Sequence, residues 1–140
     1  MPIHCEIVSQ DRFVYQGDAD MVVLPGAAGE MGILPNHSPL LTVLKFGVVR
    51  VREKGQDLFF AVAGGFAEVQ PDQVTVLADA AENVQEIDEQ RADAARRRAE
   101  QILKERVGED PDTYLKIQSA LRRSNLRLDA VRRYRQNRRS

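Results

Sequence analysis

The chain has one cysteine, Cys5, which excludes an internal disulfide and any cysteine-based zinc site. It lies in an apolar N-terminal run and reads as a small buried hydrophobe of a reducing compartment. Long apolar runs are missing as well. Nowhere do about 18 apolar residues follow one another, and the N-terminus has neither a basic stretch nor an apolar leader-like segment. The expectation is a soluble or peripheral protein of the cytoplasm. Catalytic signatures are also absent: there is no HExxH, no nucleophile elbow and no cysteine cluster. The stretch Gly26-Ala27-Ala28-Gly29-Glu30-Met31-Gly32 is glycine-rich, but no Lys-Ser/Thr pair follows it, so it reads as turn glycines rather than a phosphate cradle. No metal site is expected, and an enzyme acting alone is a poor reading.

What is present changes character near Glu86. Residues 1–85 hold five basic and eleven acidic side chains, a net of −6; the rest hold 15 basic and ten acidic, a net of +5. After Glu86 proline and glycine almost vanish, with only Gly108 and Pro111 remaining. Two modules are implied, 1–85 and 86–140.

In the first, short runs rich in β-branched and aromatic residues alternate with turn chemistry. The runs are Ile3–Val8, Phe13–Tyr15, Met21–Leu24, Leu40–Leu44, Val48–Val51, Leu58–Val62, Phe66–Val69 and Val74–Leu77. Turn signals every 8–12 residues or so, with no helix-length interval between strands, predict an antiparallel β-sandwich. In Val49-Arg50-Val51-Arg52 the alternation sends the valines inward and the arginines to water.

From Asp88 to Val107 the chain is built of Ala, Glu, Arg, Gln and Leu, strong helix formers. Gly108 fits a position just past a helix end, and Asp110-Pro111 fits the cap and first residue of the next helix. In that helix Tyr114, Ile117, Leu121, Leu128, Val131 and Tyr134 form one apolar stripe; Ala92, Ala95, Ala99, Ile102 and Leu103 form the stripe of the first. The whole is α+β: a sandwich followed by an antiparallel two-helix hairpin. Alanines bury little area, so the hairpin should be weakly gripped at its Glu86 end and able to detach.

The basic pairs Arg96-Arg97-Arg98, Arg122-Arg123, Arg132-Arg133 and Arg138-Arg139 admit three readings. They form a solvated face of i,i+4 ion pairs, a nucleic-acid grip, or a surface for an acidic protein. The acidic first module opposes the nucleic-acid adaptor, which stands as the alternative.

Gly29-Glu30-Met31-Gly32-Ile33-Leu34-Pro35-Asn36-His37-Ser38-Pro39-Leu40-Leu41-Thr42 strongly resembles the signature loop and strand of the epsilon subunit of F-type ATP synthases. Ala63-Gly64-Gly65-Phe66-Ala67-Glu68-Val69 and Val74-Thr75-Val76-Leu77-Ala78-Asp79 match later strands of that family, and the likeness spans essentially the whole chain.

The resemblance implies a non-catalytic subunit of the rotor's central stalk, on the cytoplasmic face of the bacterial cell membrane. There the sandwich would dock on the gamma subunit and the c-ring, coupling proton-driven rotation to ATP synthesis. It makes Glu30, Met31 and His37 interface residues. It makes the hairpin a restraint on ATP hydrolysis, with Arg122, Arg123, Arg127, Arg132, Arg133 and Arg135 meeting an acidic segment of the catalytic beta subunits, within the head built with the alpha subunits. No cofactor is required. ATP is implied as a regulatory ligand: Ile87-Asp88-Glu89-Gln90-Arg91-Ala92 matches the family's nucleotide motif, and Glu82, Arg98, Arg123 and Arg127 match its other positions. Arg91 and Arg98 are two helical turns apart and share a face, as Arg123 and Arg127 do at i,i+4.

Overall fold

The computed structural model describes residues 1–105 and 110–135 and divides into two compact units, Met1–Asn83 and Val84–Ser140. The first holds eight strands: β1 Ile3–Ser9, β2 Phe13–Ala19, β3 Met21–Gly26, β4 Gly29–Ile33, β5 Leu40–Glu53, β6 Gln56–Val69, β7 Gln73–Ala78 and β8 Ala81–Asn83. They run in the order β2-β1-β7-β6-β5-β3-β4, with β8 added on β6.

Two long strands make this a sandwich. The runs expected as four short strands are instead β5 and β6, 14 residues each, paired in unbroken register from Leu40↔Val69 to Glu53↔Gln56. The inward phase changes midway. Ala67 and Val69 face the core at one end of β6 but Phe60 and Val62 at the other; Leu44 gives way to Val49 and Val51 in β5. The change falls at Gly64 and Gly65, which have φ of +85° and +113°. Glycine alone adopts such angles without strain, so the ribbon bends there and its ends enter opposite layers. Gly64-Gly65 is therefore a bend inside a strand, not a turn between two.

The expected turn at Gly26–Gly32 is likewise shorter. Only Ala27-Ala28 forms it, and Gly29–Ile33 is an edge strand on β3. One pair departs from the antiparallel expectation: β1 and β7 run parallel, from His4↔Gln73 to Ser9↔Ala78.

The core closes around Ile3, Ile7, Leu24, Ile33, Phe60 and Val62, none more than 1 % exposed. Val49 and Val51 point inward as the alternation requires. Buried Cys5 joins them, and desolvation pushes its thiol pKa up to about 12, so it is an inert core residue. Tyr15 of β2 stacks on Phe60 at 5.1 Å between ring centroids and donates to Glu53 Oε2 at 2.7 Å, tying the two layers together.

The second unit holds a 3₁₀ turn, Val84–Glu86, then α1 Glu89–Glu105, α2 Pro111–Ala130 and a π-helical turn, Val131–Arg135. Each helix starts on an aspartate. Asp88 Oδ1 accepts from the Arg91 amide at 3.1 Å. Asp110 accepts from the Asp112 amide at 3.1 Å and from Thr113 Oγ1 at 3.0 Å, with Pro111 in the first turn. Such caps satisfy amides that a helix start leaves open. The helices pack on each other through Ala92, Ala99, Leu128 and, filling the expected stripe's gap, buried Ser124. Gly108 and the Arg138-Arg139 pair lie outside the described residues.

Candidate functional site

The outer face of the β2-β1-β7-β6-β5 layer is divided in two. Residues paired directly across neighbouring strands point the same way, so register alone defines its rows. One row reads Phe13↔Val8↔Leu77↔Phe66↔Val43 across five strands, every member apolar. Phe13 is 55 % exposed, Val43 64 %, Phe66 44 % and Leu77 38 %. Four gaps between strands make the row about 19 Å long. Leu41, 67 % exposed, extends it along β5. Contiguous apolar surface of this kind marks a place where something docks. Sequence reasoning missed it, although a signal was present: Leu40-Leu41-Thr42-Val43-Leu44 is apolar in both phases of a strand that one core can only half cover.

The other end of the face is polar. His4 Nδ1 donates to Asp18 Oδ1 at 3.1 Å, and Nε2 lies 3.2 Å from Glu6 Oε1. The hydrogen bond to Asp18 raises the imidazole pKa above its ordinary 6.5; desolvation, the next largest effect, opposes it, and Glu6 adds a lesser upward push. The protonated ring is thus favoured by folding. Its contribution is complete below pH 6.5 and fades as pH rises through the raised value. A proton NMR titration should place the His4 midpoint above 6.5, and Asp18→Asn should bring it down; an unchanged midpoint would contradict the pairing.

Glu30, Met31 and His37 are placed on or beside β4. Glu30 is exposed on the strand, opposite Pro25; Met31 is half-buried against the core. His37 is half-buried just beyond, its Nδ1 donating to the Ser38 carbonyl at 2.8 Å.

In the helical unit the nucleotide-motif residues divide by task. Ile87 and Ala92 are buried anchors, at 2 % and 0 % exposure. Asp88 is occupied as the α1 cap. Glu82 is half-buried in β8 of the other unit. The arginines divide as well. Arg96 pairs with Asp93 at 2.7 Å and Glu100 at 3.9 Å, and Arg97 with Asp93 at 3.2 Å. Arg98, Arg91 and Arg123 are exposed, and none of their guanidiniums meets a carboxylate among the described residues. Arg122 is exposed and Arg127 half-buried, each with a contact of its own. Arg132 meets Glu89 at 3.4 Å, an exposed pair of small worth, and Arg133 lies 5.4 Å from the Tyr134 ring centroid. Arg135 is turned inward, onto the carbonyls of Val84 and Ile87.

Among the described residues no group of three or more His, Cys, Asp or Glu side chains could hold a metal ion, and no helix is long and apolar enough to cross a membrane.

Residues 2–84 match the family described as ATP synthase, Delta/Epsilon chain, beta-sandwich domain, and residues 85–132 match its long alpha-helix domain. The ATP synthase epsilon chain of Herpetosiphon aurantiacus is 45% identical over 132 residues, 94% of this chain and 96% of that one. That of Nitrosococcus oceani is 45% identical over 136 residues, 96% of each. A chain in the mitochondrial ATP synthase of Euglena gracilis (OSCP/F1/c-ring) has the same fold, with a TM-score of 0.75 at 23% identity, covering 93% of this chain and 81% of that one.

Proposed function

The chain belongs to the ATP synthase epsilon-chain family, and we propose that it is a non-catalytic subunit of the central stalk that couples rotation to catalysis and restrains ATP hydrolysis. The observation that carries this reading is the apolar row Phe13-Val8-Leu77-Phe66-Val43, a docking face on a domain that needs a partner to cover it. The gamma subunit takes that face. Glu30, Met31 and His37, on or next to the edge strand β4, meet the c-ring, which holds the chain at the cytoplasmic face of the bacterial membrane as a peripheral subunit. A nucleic-acid adaptor has no use for such a face, and the first module's net charge of −6 opposes a polyanion.

The hairpin is the restraint. Extended, it presents Arg122, Arg123, Arg127, Arg132, Arg133 and Arg135 to the acidic surface of the beta subunits, beside alpha. Folded, it offers the guanidiniums of Arg91, Arg98 and Arg123, which meet no carboxylate among the described residues, with Arg127, to the phosphates of ATP, since guanidinium pairs bidentately with phosphate oxygens. Binding only the folded form, ATP would stabilise it by mass action.

Two measurements test this. Removing residues 87–140 should raise ATP hydrolysis by the reconstituted complex at least about fivefold, the low end of ordinary coupling energies; an unchanged rate removes the restraint. Isothermal titration of the isolated chain should show ATP binding that Arg91→Ala, Arg98→Ala or Arg123→Ala each weakens about tenfold. No heat at millimolar ATP would remove the nucleotide latch.

A further inference from the structure

The start of the second unit has a hydrogen-bonding shortage that one distant side chain meets. The Arg91 amide goes to the Asp88 carboxylate. In a helix continued upstream that amide would bond the Ile87 carbonyl, so the cap leaves this carbonyl open. Ile87 is 2 % exposed, beyond easy reach of water. From the backbone the Val84 carbonyl receives a long bond, 3.3 Å, from the Ile87 amide. Arg135 supplies both: its Nη2 donates to Val84 O and, at 2.8 Å, to Ile87 O. Below it Val84, Ile87, Leu128 and Val131 are all at or under 2 % exposure, a small apolar plug.

We propose that Arg135 is a release catch, closing the open end of the helical hairpin onto the unit's first segment, so that the hairpin opens only when this guanidinium gives up its two carbonyls. The π-helical turn at Val131–Arg135 fits the task. Widening the last turn re-aims the side chains beyond Ala130.

The catch is also releasable. Arg135 Nε is buried without an acceptor among the described residues, so the guanidinium is incompletely satisfied where it sits. An ionised carboxylate binds guanidinium more strongly than a backbone carbonyl does. An acidic partner surface would therefore take Arg135 away from the catch. This regulatory weight rests on the hairpin being the mobile element proposed above; the closure itself does not.

Hydrogen exchange on the full-length isolated chain separates the two. The Ile87, Ala92 and Val131 amides are bonded within the closed end, to Val84 O, to Asp88 O, and to Arg127 O and Leu128 O. Arg135→Ala should speed their exchange by about tenfold or more, as expected for loss of hydrogen bonds from a charged donor. Arg132→Ala, which removes only the exposed pair with Glu89, should change them less than about threefold. Arg135→Lys, which keeps the charge and much of the stem, should fall between and serves if the alanine variant unfolds the unit. Core amides of β6 are the internal reference. If Arg135→Ala and Arg135→Lys both exchange like the parent, or no faster than Arg132→Ala, there is no catch. A failed hydrolysis test with these amides still sensitive to Arg135 would sink the proposed restraint and leave the catch standing.

Discussion

Gly65→Ala is expected to destabilise the sandwich by about 3 kcal/mol or more, combining strain at positive φ with overpacking. A Cβ at Gly65 would lie 2.2 Å from the Leu77 carbonyl oxygen and 2.7 Å from the Ala78 Cα, at a φ of +113°. Both neighbours are backbone atoms of β7, so neither can rotate away. Either β6 and β7 separate or the bend opens, and the bend is what lets β5 and β6 serve both layers. A domain of this size has a total stability of about 4–12 kcal/mol, so the loss consumes a large part of it. It should lower the melting temperature by about 12 °C or more. Gly64→Ala should cost less, about 1–2 kcal/mol, because its Cβ would meet the rotatable Asp79 carboxylate at 2.9 Å. Gly32→Ala, with open space at the Cβ position, should be near neutral. Circular dichroism melts of the three variants rank them. If Gly65→Ala melts with Gly32→Ala, the bend is not what holds the sandwich.

The same glycines show where the sequence can and cannot be read. Alternation identified Val49 and Val51 as inward, because burial of one face imposes a period of two. It broke β5 and β6 into pieces, because a Gly-Gly pair signals a turn and a strand bend equally. Only the ladder of partners, continuous from Leu40↔Val69 to Glu53↔Gln56, tells them apart. The parallel β1–β7 pair is invisible locally, since it joins residues about 70 apart. Helix starts were legible because capping is local: Asp88 and Asp110-Pro111 stand where the amides need them. Ser124 was not, since a polar residue in an apolar stripe reads as exposed. Arg135 shows the same limit from the charged side. Arg132 and Arg133 just before it are basic and exposed, and nothing local says that its guanidinium turns to two carbonyls some 50 residues away.

Phe66→Glu is expected to weaken binding of the isolated gamma subunit at least about 30-fold while leaving this chain folded. Phe66 stands inside the apolar row, with Val43 on one side and Leu77 on the other. It is 44 % exposed in the free chain, so a glutamate there meets water and the fold loses little. In the complex the same carboxylate would be sealed under the partner, where an unpaired charge costs several kcal/mol. Aromatic residues at the centre of a docking face commonly cost 2 kcal/mol or more when lost, which is about 30-fold in affinity. Val43→Glu, one strand along and 64 % exposed, should act in the same direction. Leu115→Glu is the control: Leu115 is 58 % exposed on α2, far from the row in sequence and in the other unit. An exposed leucine replaced there should leave gamma binding within about twofold, as a surface change outside an interface does. Titration of purified gamma subunit with the three variants distinguishes a specific face from general surface stickiness. Equal losses for Phe66→Glu and Leu115→Glu, or none for either, would remove the row as the docking site. Loss at Phe66 and Val43 alone would assign this exposed apolar face to the partner that turns with it.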